Sequence, residues 1–164
     1  MKAKHFIAAA LLLIAFTYSY SQSSYSFNEG LDVAKSSGKK IFLDISSGSD
    51  SWSKKMDSEV YSSSGVQSAL SNFVFIKLDA DGSGKYKYSN KSYTAAELAS
   101  SFGGTGYPTF VFLNSDGSVI KFKYNGSEVS NVSGFIGEND FTEMLNYFSQ
   151  NKYKDTDLST IFQN

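Results

Sequence analysis

The stretch from Asp44 to Asp57, DISSGSDSWSKKMD, gathers the residues best equipped for chemistry: three carboxylates, a run of serines, a lysine pair and the only tryptophan, Trp52. What surrounds it limits what it can do. The chain contains no cysteine and no arginine, and its one histidine, His5, lies near the N-terminus. Thiolate nucleophiles and serine or cysteine relays built on histidine are out of reach of the rest of the chain. Zinc and copper sites of thiolate or imidazole are excluded with them, which leaves only all-oxygen sites for calcium or magnesium. The segment Asp79 to Gly84, DADGSG, carries the first half of a calcium-loop pattern. Its twelfth position is Asn90 instead of a bidentate glutamate, so a plain surface turn is the favoured reading, and no metal or cofactor is expected.

A carboxylate or serine just before a helix can still accept hydrogen bonds from the free N–H groups of the first turn, in the favourable field of the helix N-terminus. Asp50 and Ser51 stand where a helix carrying Trp52, Met56 and Val60 is predicted to begin. Asp44 sits inside an apolar run, KIFLDIS, and is read as a buried, hydrogen-bonded carboxylate, with an acid/base role as the lesser alternative.

These residues need a scaffold, and the hydrophobic pattern supplies one. Helices are predicted over Phe27 to Ser37, from Ser51, around Val66 to Leu70, over Thr94 to Phe102 with a Thr94–Glu97 capping box, and through Phe141, Leu145 and Phe148. Buried strands are predicted at Lys40 to Ser46 and Phe73 to Leu78. Asp81 to Ser92 is read as a loop. The segment after Gly103 is read as a hairpin turning at Asp116-Gly117. A terminal helical turn is expected at Leu158, Ile161 and Phe162. Alternating strands and helices followed by an antiparallel pair give an α/β class with a central mixed β-sheet flanked by helices.

At the N-terminus, Lys2 and Lys4 precede an apolar run from Phe6 to about Phe16 and then Ser19 and Ser21, the pattern of a secretory signal peptide. A bilayer span needs roughly 20 apolar residues, so an uncleaved anchor is the lesser reading. Residues 1–21 are expected to be removed, leaving 22–164 as one domain, periplasmic or secreted. Losing Lys2 and Lys4 shifts the net charge from −1 to −3, which argues against nucleic-acid binding, and no membrane association is expected after cleavage.

Two landmarks in this order resemble the thioredoxin superfamily, in particular its exported thioredoxin-like members with a CxWC-KK site. FLDISSGSDSWSKKMD is similar to that family's strand, loop and active-site helix, and GTGYPTFVFLNSDG to its cis-proline loop and following hairpin. The resemblance places the two cysteine positions at Asp50 and Ser53, both without a thiol, and matches Asp44 to the family's buried acid. It implies a thioredoxin fold with no catalytic residues for thiol chemistry, and a peptide-docking surface at Trp52, Tyr107 and Pro108. The expected partner is a protein or unfolded peptide, bound or held in a chaperone-like way. The alternatives are an accessory role in a thiol-disulfide oxidoreductase system and a structural role in an assembly. Tyr86, Tyr88, Tyr93 and Tyr107 are read first as half-buried filler, and second as part of a peptide-binding face.

Overall fold

The computed structural model describes residues 23–162. The predicted signal segment lies outside these residues. Helix α1 (Phe27–Ser37) ends on Gly38, whose left-handed φ of 72° lets its N–H cap Ala34 O. A side chain there would be strained. Strand β1 (Ile41–Ser46) follows, then α2 (Ser51–Lys55), α3 (Ser64–Leu70) and strand β2 (Val74–Asp79). Strands β3 (Lys85–Tyr88) and β4 (Lys91–Thr94) precede α4 (Ala95–Ser101), and β5 (Thr109–Leu113) follows it. Short strands β6 (Phe122–Tyr124), β7 (Ser127–Val129) and β8 (Asn131–Ser133) lead to α5 (Glu138–Ser149). A final 3-10 turn at Leu158–Thr160 stands where the terminal helical turn was predicted.

The central sheet has the order β2-β1-β5-β8. Strand β1 runs parallel to β2 and antiparallel to β5, and β8 runs antiparallel to β5. The sheet is therefore mixed, as the sequence pattern predicts. Its strands alternate side chains between two faces. Phe42, Phe75, Phe110 and Phe112 point to one core, shared with α3 and α5. Ile41, Leu43, Ile45, Ile76 and Val111 point to the other, shared with α1 and α4. The central strands are thus buried on both sides, which is why β1 and β5 read as nearly unbroken apolar runs.

Three local expectations need correction. The loop predicted at 81–92 contains a β-hairpin, with Tyr86 opposite Tyr93 and a turn at Ser89 and Asn90, both at positive φ. Its inward tyrosines pack on Phe27, at ring distances of 6.1 Å for Tyr86 and 5.7 Å for Tyr88, and that burial holds the hairpin. The hairpin predicted after Gly103 survives for only three residues beyond its Asp116-Gly117 turn, Ser118 to Ile120. Val119 bridges Leu113 and Ile120 N–H donates to Phe112 O, after which the chain leaves to pair β6 with β7. Strand β8 takes the remaining edge of β5. Helix α2 does not stay regular, because Met56–Val60 form a π-turn in which Tyr61 N–H reaches Met56 O at 2.9 Å. The wider turn brings Met56, Val60 and Tyr61 all into the aromatic core.

Candidate functional site

The loop between β1 and α2 is held by hydroxyls. Asp81 Oδ2 accepts from Ser47 Oγ at 2.6 Å and from Ser49 Oγ at 3.1 Å, and these bonds hold its carboxyl below the usual range. Asp79 Oδ1 accepts from the Asp81 N–H. Both carboxylates of the calcium-like segment are thus engaged, Asp79 within its own turn and Asp81 across to the β1–α2 loop, and no group of three acidic, histidine or cysteine side chains among the described residues could hold a metal ion.

Asp50 is the N-cap of α2, in extended conformation, and its Oδ2 accepts from Ser53 N–H at 2.6 Å. Ser53, only 4% exposed, turns its hydroxyl inward, where it accepts weakly from Ser47 N–H at 3.4 Å. These two positions therefore face each other across the first turn, one at the helix end and one beneath it. A serine hydroxyl there lacks the thiolate character that attack on a disulfide requires.

Beneath the helix start, Asp44 is 1% exposed. Parallel pairing sets Lys77 beside it in register, with Nζ at 4.0 Å from Asp44 Oδ2, while the same ammonium is ion-paired with Asp57 at the surface. The carboxyl is buried as expected, but the expected hydrogen bonding is not there. Asp44 Oδ1 and the buried Tyr61 hydroxyl each lack a hydrogen-bond partner among the described residues. Burial raises the Asp44 carboxyl to about 7, with the Lys77 charge and then the facing Tyr61 hydroxyl opposing that rise. The Tyr61 hydroxyl is itself pushed up by burial and by the nearby carboxylate.

The second landmark lies beside this helix end. The Tyr107–Pro108 bond is cis. The fully buried Thr109 donates its hydroxyl proton to Gly106 O and accepts from Ser133 Oγ, fixing the loop's base. Pro108 is buried and Tyr107 half-buried, so neither ring stands free on the surface. Tyr107 packs partly buried against the second core along with Tyr86, Tyr88 and Tyr93. The Tyr107 backbone is a different matter. Among the described residues, no hydrogen bond reaches its N–H or C=O.

Trp52 is 51% exposed and is the one large exposed hydrophobic side chain among the described residues. Its indole lies against Phe135, centroids 5.7 Å apart, and Lys55 Nζ sits 4.5 Å over the Phe135 ring and 5.5 Å from the indole. The neighbouring Gly134 N–H donates to Pro108 O at 2.8 Å. Phe135 thereby links Trp52 to the proline loop, the two parts that the sequence reading placed on one surface.

The family described as a thioredoxin-like domain matches residues 27–149. The chain belongs to this family. Solved structures agree on the fold. A thioredoxin-fold protein from Helicobacter pylori is 17% identical, covering 76% of this chain and 80% of its own length, with a TM-score of 0.58. A thioredoxin from Thermus thermophilus is 24% identical, covering 78% and 87%, with a TM-score of 0.56. A structure described as DsbH oxidoreductase is 16% identical, covering 98% and 96%, with a TM-score of 0.51. No curated protein matches the chain. This thioredoxin-like domain is one without any cysteine, so it has no thiol-disulfide chemistry of its own.

Three residues of the site escaped the sequence reading. Asp44 is the lone charge in β1 and Lys77 the one charge inside β2 before its terminal Asp79, and that pairing was a usable signal. Tyr61 reaches Asp44 only through the π-turn. Phe135 comes from a loop with no periodic pattern and gave no signal.

Proposed function

We propose that this thioredoxin-like domain is exported, periplasmic or secreted, and binds extended protein segments without redox chemistry, for partner binding or chaperone-like holding. The observation that carries this reading is the Tyr107 backbone, unpaired among the described residues, beside exposed Trp52 and its half-buried neighbour Phe135. A free N–H and C=O on one residue can pair with an extended strand, while an aromatic surface alongside takes its apolar side chains. The half-exposed indole supplies area at little entropic cost, the property that makes tryptophan frequent among energetically dominant contacts.

The single tryptophan also reports on the site. Titrating the protein with a permanently unfolded, carboxymethylated chain should shift Trp52 emission to shorter wavelength. Phe135→Ala should weaken that binding by about tenfold, the loss of one well-placed aromatic contact. Absence of binding, or equal affinity in Phe135→Ala, would overturn the proposal. Retention of a thiol-bearing thioredoxin-like partner, with no affinity for the unfolded chain, would favour the accessory role instead.

A further inference from the structure

A second concave surface lies at the other end of β5. The five residues of that strand, at about 3.4 Å each, put roughly 17 Å between the proline loop and this surface. It is a groove of about 680 Å³ bounded by α1, by the turn of the β3–β4 hairpin and by the turn at 115–118. That size is in the range of small-molecule sites. The three walls are tied together. Asn28 on α1 clamps the hairpin at two points, donating to Lys87 O at 2.7 Å and accepting from Lys87 N–H at 3.1 Å. The Tyr88 hydroxyl donates to Gly117 O at 2.9 Å. Gly117, at φ 85°, lies so close that an added Cβ would meet Leu31 at 3.2 Å. The floor of Leu31, Tyr88 and Gly117 is therefore preformed.

The rim has a definite chemistry. Lys35, Lys87 and Lys91 line it, and none of them has an ion pair among the described residues. Of the two acids on the rim, Asp116 is spent on its own turn, its Oδ1 accepting from Ser118 N–H and Oγ. Asp32 is left as a free acceptor, beside the amide of Asn90 and the hydroxyl of Ser115. Uncommitted ammonium groups in a chain of negative net charge call for an anion. A carboxylate, an amide and a hydroxyl around a partly apolar floor call for ligand hydroxyls on a ring.

We propose that this groove binds a polyhydroxylated anion of monosaccharide size, a sugar ring bearing a carboxylate or a phosphate. The charged group pairs with Lys91, which lies opposite Tyr88 on the floor side of the hairpin, and with Lys35 of α1, and ring hydroxyls donate to Asp32. This site is independent of the Trp52 surface and stands or falls separately from it.

The test is a titration of the isotopically labelled protein, followed by amide chemical shifts, with glucuronic acid, glucose 6-phosphate, glucose and inorganic phosphate. Shifts confined to residues 31–35, 87–91 and 115–118 are expected with one or both anionic sugars. Whichever binds more tightly identifies the charged group. The surface pair Lys35→Gln/Lys91→Gln should weaken that binding by about tenfold or more, with an unchanged spectrum elsewhere. The proposal is overturned by absence of shifts up to about 10 mM ligand, weaker than any useful recognition. It is equally overturned by undiminished binding in the double variant, or by glucose or phosphate binding as tightly as the anionic sugars.

Discussion

The two faces of the central sheet are built from different materials. One is paved with rings: Phe112 stacks on Phe148 with centroids 3.6 Å apart, and Phe42 touches Phe75, Phe110, Phe112 and Phe141 at 5.4 to 5.8 Å. On the other the sheet presents aliphatic side chains, the rings of Phe27 and Phe102 come from the helices, and backbone approaches closely, with Gly30 of α1 set against Ile76 and Gly104 against Ala99. The candidate site belongs to the aromatic side. Asp44 occupies the position on that face where the alternation of β1 would set the next ring after Phe42, and α2 closes over it. A face of large rings joined through a π-turn leaves room for an imperfectly satisfied carboxyl. A face packed by glycine and alanine against branched aliphatics does not.

The largest test of this contrast is in coupling. Phe112→Ala should lower stability by about 4 kcal/mol in urea unfolding, with Phe148→Ala similar. The pair should be coupled by about 1 kcal/mol or more, because the rings share one stack, whereas Leu43→Ala and Phe148→Ala, on opposite faces, should add within about 0.5 kcal/mol. Strong coupling across the sheet would mean that the faces are not separate packing units.

Asp44→Asn probes the flaw in the aromatic face. The folded carboxyl keeps its proton up to about 7, against 3.8 for an ordinary aspartate, so the folded state holds the extra proton between these values. Stability contributed by this group therefore falls as pH rises from about 4 to 7 and stays low above. The variant should match the wild type near pH 4 and exceed it by roughly 2–4 kcal/mol at pH 8. A variant that is less stable at pH 8 would show that the ionised carboxylate is well paired after all.

On the aliphatic face the expected effect is smaller. An added Cβ at Gly30 would fall 2.3 Å from Ile76 Cγ1. Gly30→Ala should therefore destabilise by about 1–2 kcal/mol, although alanine favours a helix by nearly 1 kcal/mol. A neutral or raised melting temperature would reveal slack where close packing is seen.

Regular, locally encoded features were legible in the sequence. The Thr94–Glu97 capping box is present as written, Gly38 ends α1, and the buried runs of β1 and β2 pair in parallel. So was the helix start at Asp50. What was not legible depended on partners distant along the chain. Alternation in KYKY was masked by polar neighbours, and only packing on Phe27 makes β3 and β4 a structured pair. The β5 edge is divided between Val119 and β8, and only the first of these segments carries a strand pattern in the sequence. Phe135 entered the site through space alone, and Asp44 kept its burial but not its hydrogen bonds.

The Asp50 cap has one further consequence. In a thiol-bearing relative of this fold, the group at the helix start can climb the oxidation ladder from thiolate to sulfenic and sulfinic acid, changing its charge and bonding at each rung. Here the same place is filled by a carboxylate held against Ser53 N–H. Peroxide or hypochlorous acid finds no sulfur to modify in it. The cap itself is thus set once, by folding, and contains no group whose charge follows the redox conditions.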